Sequence, residues 1–243
     1  MNQSKISTLQ DLTVGEIVAD NYHTAGVFRQ YGLDFCCGGG ITLKKACKNH
    51  GLDLEQVKKE LLETYQTDVS GNQQFNAWEP DYLIDYIINT HHRFVRNKTE
   101  ELFPFLQKIA RVHGQTSPHH VEIFQTFCDL SSEMMHHLED EEKIVFPLIK
   151  SIYQKRKRGE TVSSEEIEEL KKQLNNMLDD HDGAGEKMQK IRRLSNGYAT
   201  SEDSCTTYRM VYQNLEGFEA DLHKHVHLEN NILFRKAEDL ITS

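Results

Sequence analysis

Four long stretches of the sequence repeat apolar residues at helical spacing, and short polar connections separate them. These stretches span about 81–113, 118–158, 163–197 and 202–240. Long helices joined by short connections pack as antiparallel neighbours, which predicts an all-α chain built around an up-down-up-down four-helix bundle. Before the bundle we expect a small helical domain over 1–65 and a linker over 66–80, so that the bundle domain covers 81–243.

Each of the four stretches places one histidine on its apolar stripe, near the middle of the predicted helix. Counting three or four residues at a time along each stripe selects His92, His137, His181 and His225. In the first stretch a rival stripe passes through His91, but that stripe also carries Lys98. The spacing therefore favours His92 over its neighbour.

Two glutamates join these histidines on the predicted inner faces. Glu141 and Glu229 each follow a selected histidine by four residues, which is about one helical turn. The same count continues the second stripe through Ile144 and leaves Glu142 and His227 on the solvent side. Because mid-helix positions of antiparallel helices meet at similar depth, four imidazoles and two carboxylates should converge in one layer of an apolar core.

A layer of this composition favours bound metal over a purely polar core network, although a network is the alternative for each residue taken singly. An unpaired buried carboxylate costs several kcal/mol, and a pair of cations would neutralise both carboxylates at once. Structural zinc often takes thiolates, and this layer has no cysteine. Imidazole with carboxylate ligands and open positions is typical of iron, while manganese and zinc stay open at this point.

The overall charge argues against a nucleic-acid-binding protein. The net charge is -10 and the sequence pI is about 5.7, whereas nucleic-acid binding needs a clustered basic face. No apolar run is long enough to span a membrane, and the N-terminus lacks the apolar segment of a signal peptide. We therefore expect a cytoplasmic protein whose five cysteines are free thiols.

Adjacent cysteines, Cys36 and Cys37, precede a run of three glycines between two predicted helices. A disulfide between neighbouring cysteines is strained, so we do not expect one. If amides of the glycine loop point at a sulfur, they would stabilise its thiolate and make the thiol reactive. The alternative is that one cysteine packs in the small core and the other has no role.

Three segments, "HHLEDEEKIVFP", "DDHDGAGEKM" and "HVHLENNILF", resemble hemerythrin-like domains. The N-terminal "TVGEIVADNYHTAGVFRQYGLDFCCGGGITLKKAC" is similar to the cysteine-containing domain that precedes such a bundle in the RIC family. Members of that family are di-iron proteins implicated in repairing iron-sulfur clusters after nitric oxide or oxidative stress. The resemblance covers nearly the whole chain, and the pairing of both domains is more specific than either motif.

The resemblance implies a non-haem di-iron centre with an oxo or hydroxo bridge. Its metal ligands would be His92, His137, Glu141, His181, His225 and Glu229. Each iron would take two histidines, with both glutamates bridging and one position open for a small ligand such as NO or O2. The implied partners are iron-sulfur proteins as clients, and a homodimer is expected. A thiol role for Cys36 or Cys37 fits the same family.

Repair by iron supply is the leading hypothesis from this resemblance. Two alternatives use the same six ligands: a nitric oxide reductase, and a sensor that binds O2 or NO reversibly in the manner of hemerythrin. Because the three functions need the same residues, the sequence leaves open whether the chain is an enzyme.

Overall fold

Helices make up the regular structure of the protein in a computed structural model, which describes residues 8–66, 74–201 and 206–242. Within these ranges no strand forms, which confirms the predicted all-α class. Residues 67–73 of the expected linker lie outside the described residues, and so does Cys205. In the described part of the chain, no helix is both long enough and apolar enough to cross a membrane.

The chain divides into two compact units. The first comprises Met1–Leu83 together with Val226–Asp239, and the second comprises Ile84–His225 together with Leu240–Ser243. The C-terminal helix thus contributes to both units, because its second half belongs with the N-terminal residues.

Short helices build the first unit. They are α1 Val14–Asp20, α2 Ala25–Gln30, α3 Leu43–His50 and α4 Leu54–Gln66. Thr13 begins α1 with a capping box, in which its hydroxyl accepts from the Glu16 amide and the Glu16 carboxylate accepts from the Thr13 amide. α3 ends at Gly51, whose φ of 65° is the left-handed conformation that glycine adopts readily. Fully buried Ile17, Phe28 and Leu61 supply apolar core.

Four long helices follow, as the periodicity predicted. α5 consists of Pro80–Ile87, Ile88–His92 and Arg93–His113; α6 of His119–Asp140, Glu141–Val145 and Phe146–Lys157; α7 of Ser164–Leu194; and α8 of Thr206–Leu228, Glu229–Leu233 and Phe234–Thr242. Pairs of side chains show that neighbouring helices of the second unit run antiparallel. The ion pairs from α7 to α6 illustrate this, since Lys187 meets Glu133 and the later Lys190 meets the earlier Glu122.

Three of the long helices contain a π-helical turn, and each turn includes or adjoins a predicted site residue. The π turns are Ile88–His92, Glu141–Val145 and Glu229–Leu233. A π turn inserts one extra residue, so the face that points inward shifts by one position beyond it. In α6, beyond this shift, Ile144 is 43% exposed while Val145 and Phe146 are buried. The predicted stripe through Ile144 is therefore wrong.

The C-terminal segment of the first unit is fastened to the loop that carries the cysteines. Asn231 Nδ2 donates to the carbonyl oxygens of Phe35 at 3.2 Å and Cys36 at 3.1 Å. Asn230 Nδ2 donates to the Cys36 carbonyl at 3.4 Å. On the other side of the loop, the Gly15 amide donates to the Gly39 carbonyl at 2.8 Å. These bonds fix the loop between α1 and the C-terminal segment.

We predict that Gly15→Ala destabilises the protein by about 1–3 kcal/mol, because overpacking forces neighbouring groups to move. A Cβ at Gly15 would lie 2.7 Å from Asn231 Cγ and 3.2 Å from the Gly39 carbonyl oxygen. Urea denaturation measures the free energy of unfolding. Gly26→Ala is the matched control, since a Cβ there meets nothing within 4 Å. Equal stability of the two variants would contradict the close packing.

Candidate metal centre

All six residues selected from the sequence are buried. None of their side chains is more than 3% exposed: His92, His137, Glu141, His181, His225 and Glu229. Burying two carboxylates in an apolar interior is costly unless positive charge or hydrogen-bond donors compensate them. The arrangement of the surrounding imidazoles therefore decides how the two carboxylates can be compensated.

The six side chains form two groups that could each hold a metal ion. The groups are His92, Glu141, His225 and Glu229, and His137, Glu141, His181 and Glu229. Within each group, one potential ligand atom per residue lies within 4.8 Å of all the others. Glu141 and Glu229 belong to both groups, so each carboxylate lies within reach of both sites.

Glu141 lies between histidines from three different helices. Its Oε2 is 3.3 Å from His92 Nε2 and 3.4 Å from His137 Nε2, and its Oε1 is 4.0 Å from His181 Nε2. The Nε2 atoms of His137 and His181 are 2.9 Å apart. Two nitrogen lone pairs repel at that distance unless a proton or a cation lies between them. Metal–nitrogen bonds of about 2.0–2.1 Å at a right angle separate two ligand nitrogens by about 2.9 Å.

Two acidic side chains behind the histidines fix which ring nitrogen carries the proton. Glu142 Oε1 is 2.7 Å from His92 Nδ1, and Asp180 Oδ2 is 3.2 Å from His137 Nδ1. An ionised carboxylate only accepts hydrogen bonds, so Nδ1 donates in both pairs. In a neutral ring the lone pair is then on Nε2, which faces the inner group, and this is the orientation that metal-binding histidines adopt.

Glu142 corrects the sequence-based expectation that it faces solvent. It is half-buried and also accepts from Arg96 Nη1 at 2.8 Å. Burial raises the pKa of Glu142, but the hydrogen bonds from Arg96 and His92 outweigh burial and bring the pKa below its ordinary value. The hydrogen bond from His137 likewise lowers the pKa of Asp180. Both carboxylates are therefore ionised at neutral pH.

His91 lies in the same layer as the selected histidines, although the sequence favoured only His92. The π turn at Ile88–His92 brings both side chains inside, with His91 1% exposed and His92 fully buried. His91 Nδ1 is 3.0 Å from Asp221 Oδ1, and its ring stacks on His225 with the centroids 5.7 Å apart. His91 belongs to neither metal-holding group and instead supports His225 from behind.

His227 was also expected to face solvent, and this expectation is wrong. It is 1% exposed and packs against Tyr22 and Phe35, with the ring centroids 5.9 Å apart in both cases. Burial lowers the pKa of His227 to about 4, so the ring is neutral at physiological pH. Asn231 Nδ2 lies 3.2 Å from His227 Nδ1. These aromatic neighbours come from the N-terminal residues, so the spacing of residues along α8 alone could not predict the burial of His227.

The cysteine loop is organised by Asp34, which the sequence reasoning overlooked. Its carboxylate accepts from the amides of Cys36 at 2.9 Å, Cys37 at 3.1 Å and Gly38 at 2.9 Å. An aspartate that accepts from the amide two residues later is a recognisable turn signal, and "DFCC" displays it. These three amides stabilise a carboxylate, so the expected stabilisation of a thiolate is not what they provide.

Cys36 and Cys37 differ in exposure and chemistry. Cys36 is 4% exposed, and its Sγ lies 3.2 Å from Asp34 Oδ1 and 3.8 Å from Cys37 Sγ. The hydrogen bond with Cys37, burial and the nearby Asp34 charge raise the pKa of Cys36 well above the ordinary value of a thiol. Cys37 is half-buried, and both cysteines are free thiols.

Comparison with known proteins gives two domain matches. The ScdA_N profile, described as a domain of unknown function (DUF542), matches residues 10–65, and the hemerythrin HHE cation binding domain profile matches residues 83–237. The iron-sulfur cluster repair protein ScdA of Staphylococcus haemolyticus is 35% identical over 92% of this chain and 96% of its own length. The iron-sulfur cluster repair protein YtfE of Edwardsiella ictaluri is 32% identical over 95% of this chain and 98% of its own. A probable iron-sulfur cluster repair protein of Haemophilus influenzae is 30% identical over 86% of this chain and 88% of its own length.

We predict that iodoacetamide modifies Cys37 before Cys36 at neutral pH. The thiolate is the nucleophile, and Cys36 is both buried and held in its protonated form. Mass spectrometry of the tryptic peptide, with Cys37→Ser as the matched variant, resolves the two sites. In that variant, the peptide should be modified more slowly at neutral pH than in the parent, because the remaining Cys36 is buried. Rapid modification of Cys36 at neutral pH would contradict this account of the loop.

Proposed function

The chain belongs to the RIC family of iron-sulfur cluster repair proteins, and on that premise we propose that it restores clusters damaged by nitrosative or oxidative stress. It would do so by supplying iron from the buried histidine–glutamate site. The observation that carries the proposal is the pair of adjoining groups that share Glu141 and Glu229. Two shared carboxylates between two sets of imidazoles are what a pair of neighbouring iron ions requires.

The proposed site assigns a distinct task to each class of residue. His92 and His225 would hold one iron, and His137 and His181 the other, while Glu141 and Glu229 would bridge both. The donor set of imidazole and carboxylate fits iron, and iron bound there would supply Lewis acidity and redox chemistry. The Nδ1 hydrogen bonds of His92 and His137 aim the Nε2 atoms of these rings inward.

The small number of carboxylates in the histidine–glutamate layer supports a site from which iron can be released. Ferritin-like di-iron sites use four glutamates and two histidines, whereas this layer offers two glutamates and four histidines. Fewer anionic ligands leave more of the cations' charge uncompensated, so the same ions bind less tightly. A site that delivers iron needs this weaker hold.

Further expectations belong to the same proposal. Clients would be iron-sulfur proteins, small ligands such as NO and O2 would reach the iron, and the protein would act in the cytoplasm as a homodimer. The iron site would lie in residues 81–243, and the thiols of Cys36 and Cys37 would act from residues 1–65.

Nitric oxide reduction and sensing are not favoured, because the relatives are named as repair proteins.

We predict two iron ions per chain in protein purified anaerobically, one for each group of ligands. The double variant Glu141→Leu, Glu229→Leu should lose both, because it removes the shared carboxylates while keeping the core apolar. Metal analysis beside a circular dichroism spectrum checks this. A parent that folds normally but takes up no metal under ferrous iron would mean that the six residues form a polar core network.

The repair function has its own test. Iron-loaded protein is incubated anaerobically with a [4Fe–4S] enzyme inactivated by nitric oxide, and the recovered activity is measured over time. The controls are the metal-free double variant and free ferrous iron at equal concentration. Recovery with the loaded protein should exceed both controls. If free iron restores the enzyme equally well, the proposed function is wrong, even if the metal content is as predicted.

We predict that Glu142→Gln weakens iron binding about 10–100-fold, the usual effect of losing a hydrogen-bond partner behind a metal-binding histidine. The variant removes the charge that accepts from His92 Nδ1 but keeps the size of the side chain. Competition with a chelator of known affinity measures the change. Glu139→Gln, on the exposed side of the same helix, is the matched control and should bind iron as the parent does.

A further inference from the structure

We propose that Asp34, Cys36 and Cys37 form a second metal-binding site, which takes one borderline-soft divalent ion such as ferrous iron through two thiolates and one carboxylate. The three side chains each place a potential ligand atom within 4.8 Å of the other two. They lie in the first unit, apart in sequence from every residue of the histidine–glutamate layer. As a metal site, the cluster stands on its own geometry, independent of the function proposed above.

The distance between the two sulfurs matches that around a single tetrahedral ion, and the carboxylate lies close by. Metal–sulfur bonds of about 2.3 Å at the tetrahedral angle place two sulfurs about 3.8 Å apart. The Sγ atoms of Cys36 and Cys37 are 3.8 Å apart. With a metal–oxygen bond of about 2.0–2.2 Å, a tetrahedral sulfur–oxygen pair lies about 3.6 Å apart. Cys36 Sγ and Asp34 Oδ1 are 3.2 Å apart, which is within a few tenths of an ångström of that value, and the ligand atom of Cys37 lies within 4.8 Å of that of Asp34.

The backbone holds these three side chains in place before any ion arrives. The amides of Cys36, Cys37 and Gly38 fix the Asp34 carboxylate and partly compensate its charge. The Cys36 carbonyl in turn accepts from Asn231. Gly39 is required for this conformation, because a Cβ there would collide with the Phe35 carbonyl oxygen. Ligands fixed in advance reduce the ordering cost of binding.

One side of the cluster is open to solvent. Asp34 and Gly38 are exposed and Cys37 is half-buried, whereas Cys36 closes the inner side. Three protein ligands leave the fourth tetrahedral position free, which is typical of exchangeable sites and not of structural ones. On binding, each thiol would lose its proton to water as the metal–sulfur bond forms. An incoming thiolate could then occupy the fourth position.

An exchangeable thiolate site is suited to pass a metal to a cysteine-rich acceptor. A role of this cluster in iron delivery rests on the proposed repair function. The loop is bonded to Asn230 and Asn231, the residues that directly follow Glu229 on α8. The two metal-holding clusters therefore share a supporting helix, α8.

Cobalt(II) is added anaerobically to full-length protein loaded with only the two iron ions per chain that the histidine–glutamate layer takes. This tests the site, because sulfur-to-cobalt charge transfer gives an absorption band that imidazole and carboxylate ligands do not produce. We expect one equivalent of cobalt to produce this band. The double variant Cys36→Ser, Cys37→Ser should lose it, and Asp34→Asn should weaken cobalt binding at least about tenfold. Cys128→Ser is the matched control and should keep the full band.

The outcomes separate this proposal from the repair function. A band that persists in the double cysteine variant, or no band in the parent, overturns the site. Should the double variant lose its fold by circular dichroism, Cys37→Ala serves instead, because that side chain is half-buried and its loss should weaken the band by about half. The variant Glu141→Leu, Glu229→Leu should keep the band, since neither residue belongs to the cluster.

Discussion

The burial of carboxylates inside an apolar bundle is the constraint from which the rest of this structure follows. Glu141 is fully buried and surrounded by imidazole nitrogens at 3.3 to 4.0 Å. An ionised carboxylate in such a place is tolerated only with close positive charge or hydrogen bonds. Glu142 and Asp180 turn the Nε2 atoms of His92 and His137 inward, and imidazoles in the neutral form that binds a metal do not supply that charge. A cation completes the arrangement, and this is why the layer is best understood as a metal site.

Irregular helical turns bring the ligands to the right faces. The neighbours His91 and His92 are both buried, and both lie in a π turn. The π turn at Glu141–Val145 begins with the buried carboxylate and rotates the following residues by one position. It also turns Glu142 toward His92, where it orients the ring. π turns frequently mark functional sites, and here they coincide with the ligand-bearing segments of three helices.

The cysteine loop depends on a different interaction, the capture of three backbone amides by Asp34. The hydrogen bond with Cys37, burial and the Asp34 charge raise the pKa of Cys36 well above the ordinary value of a thiol. The usefulness of Cys36 would therefore lie in binding a metal and not in nucleophilic attack. The asparagines after Glu229 hold this loop on α8. Two asparagines within the apolar run "LENNILF" were a visible sign that this part of the helix has polar partners.

The sequence by itself determined the helical class, the four long helices and the six inward residues, because a period of 3.6 is a local property that survives in any helix. His137 and His181 could be selected in this way without knowing what lies opposite them. The positions of Glu142, His227 and Asp34 depend on a π turn, on aromatic rings from distant residues and on a loop closed by backbone amides. The contacts of Glu142 with His92 and of His227 with Phe35 join segments far apart in the chain, and a repeating pattern along one helix does not contain them. The Asp34 turn is local, but its signal lies outside any helical repeat.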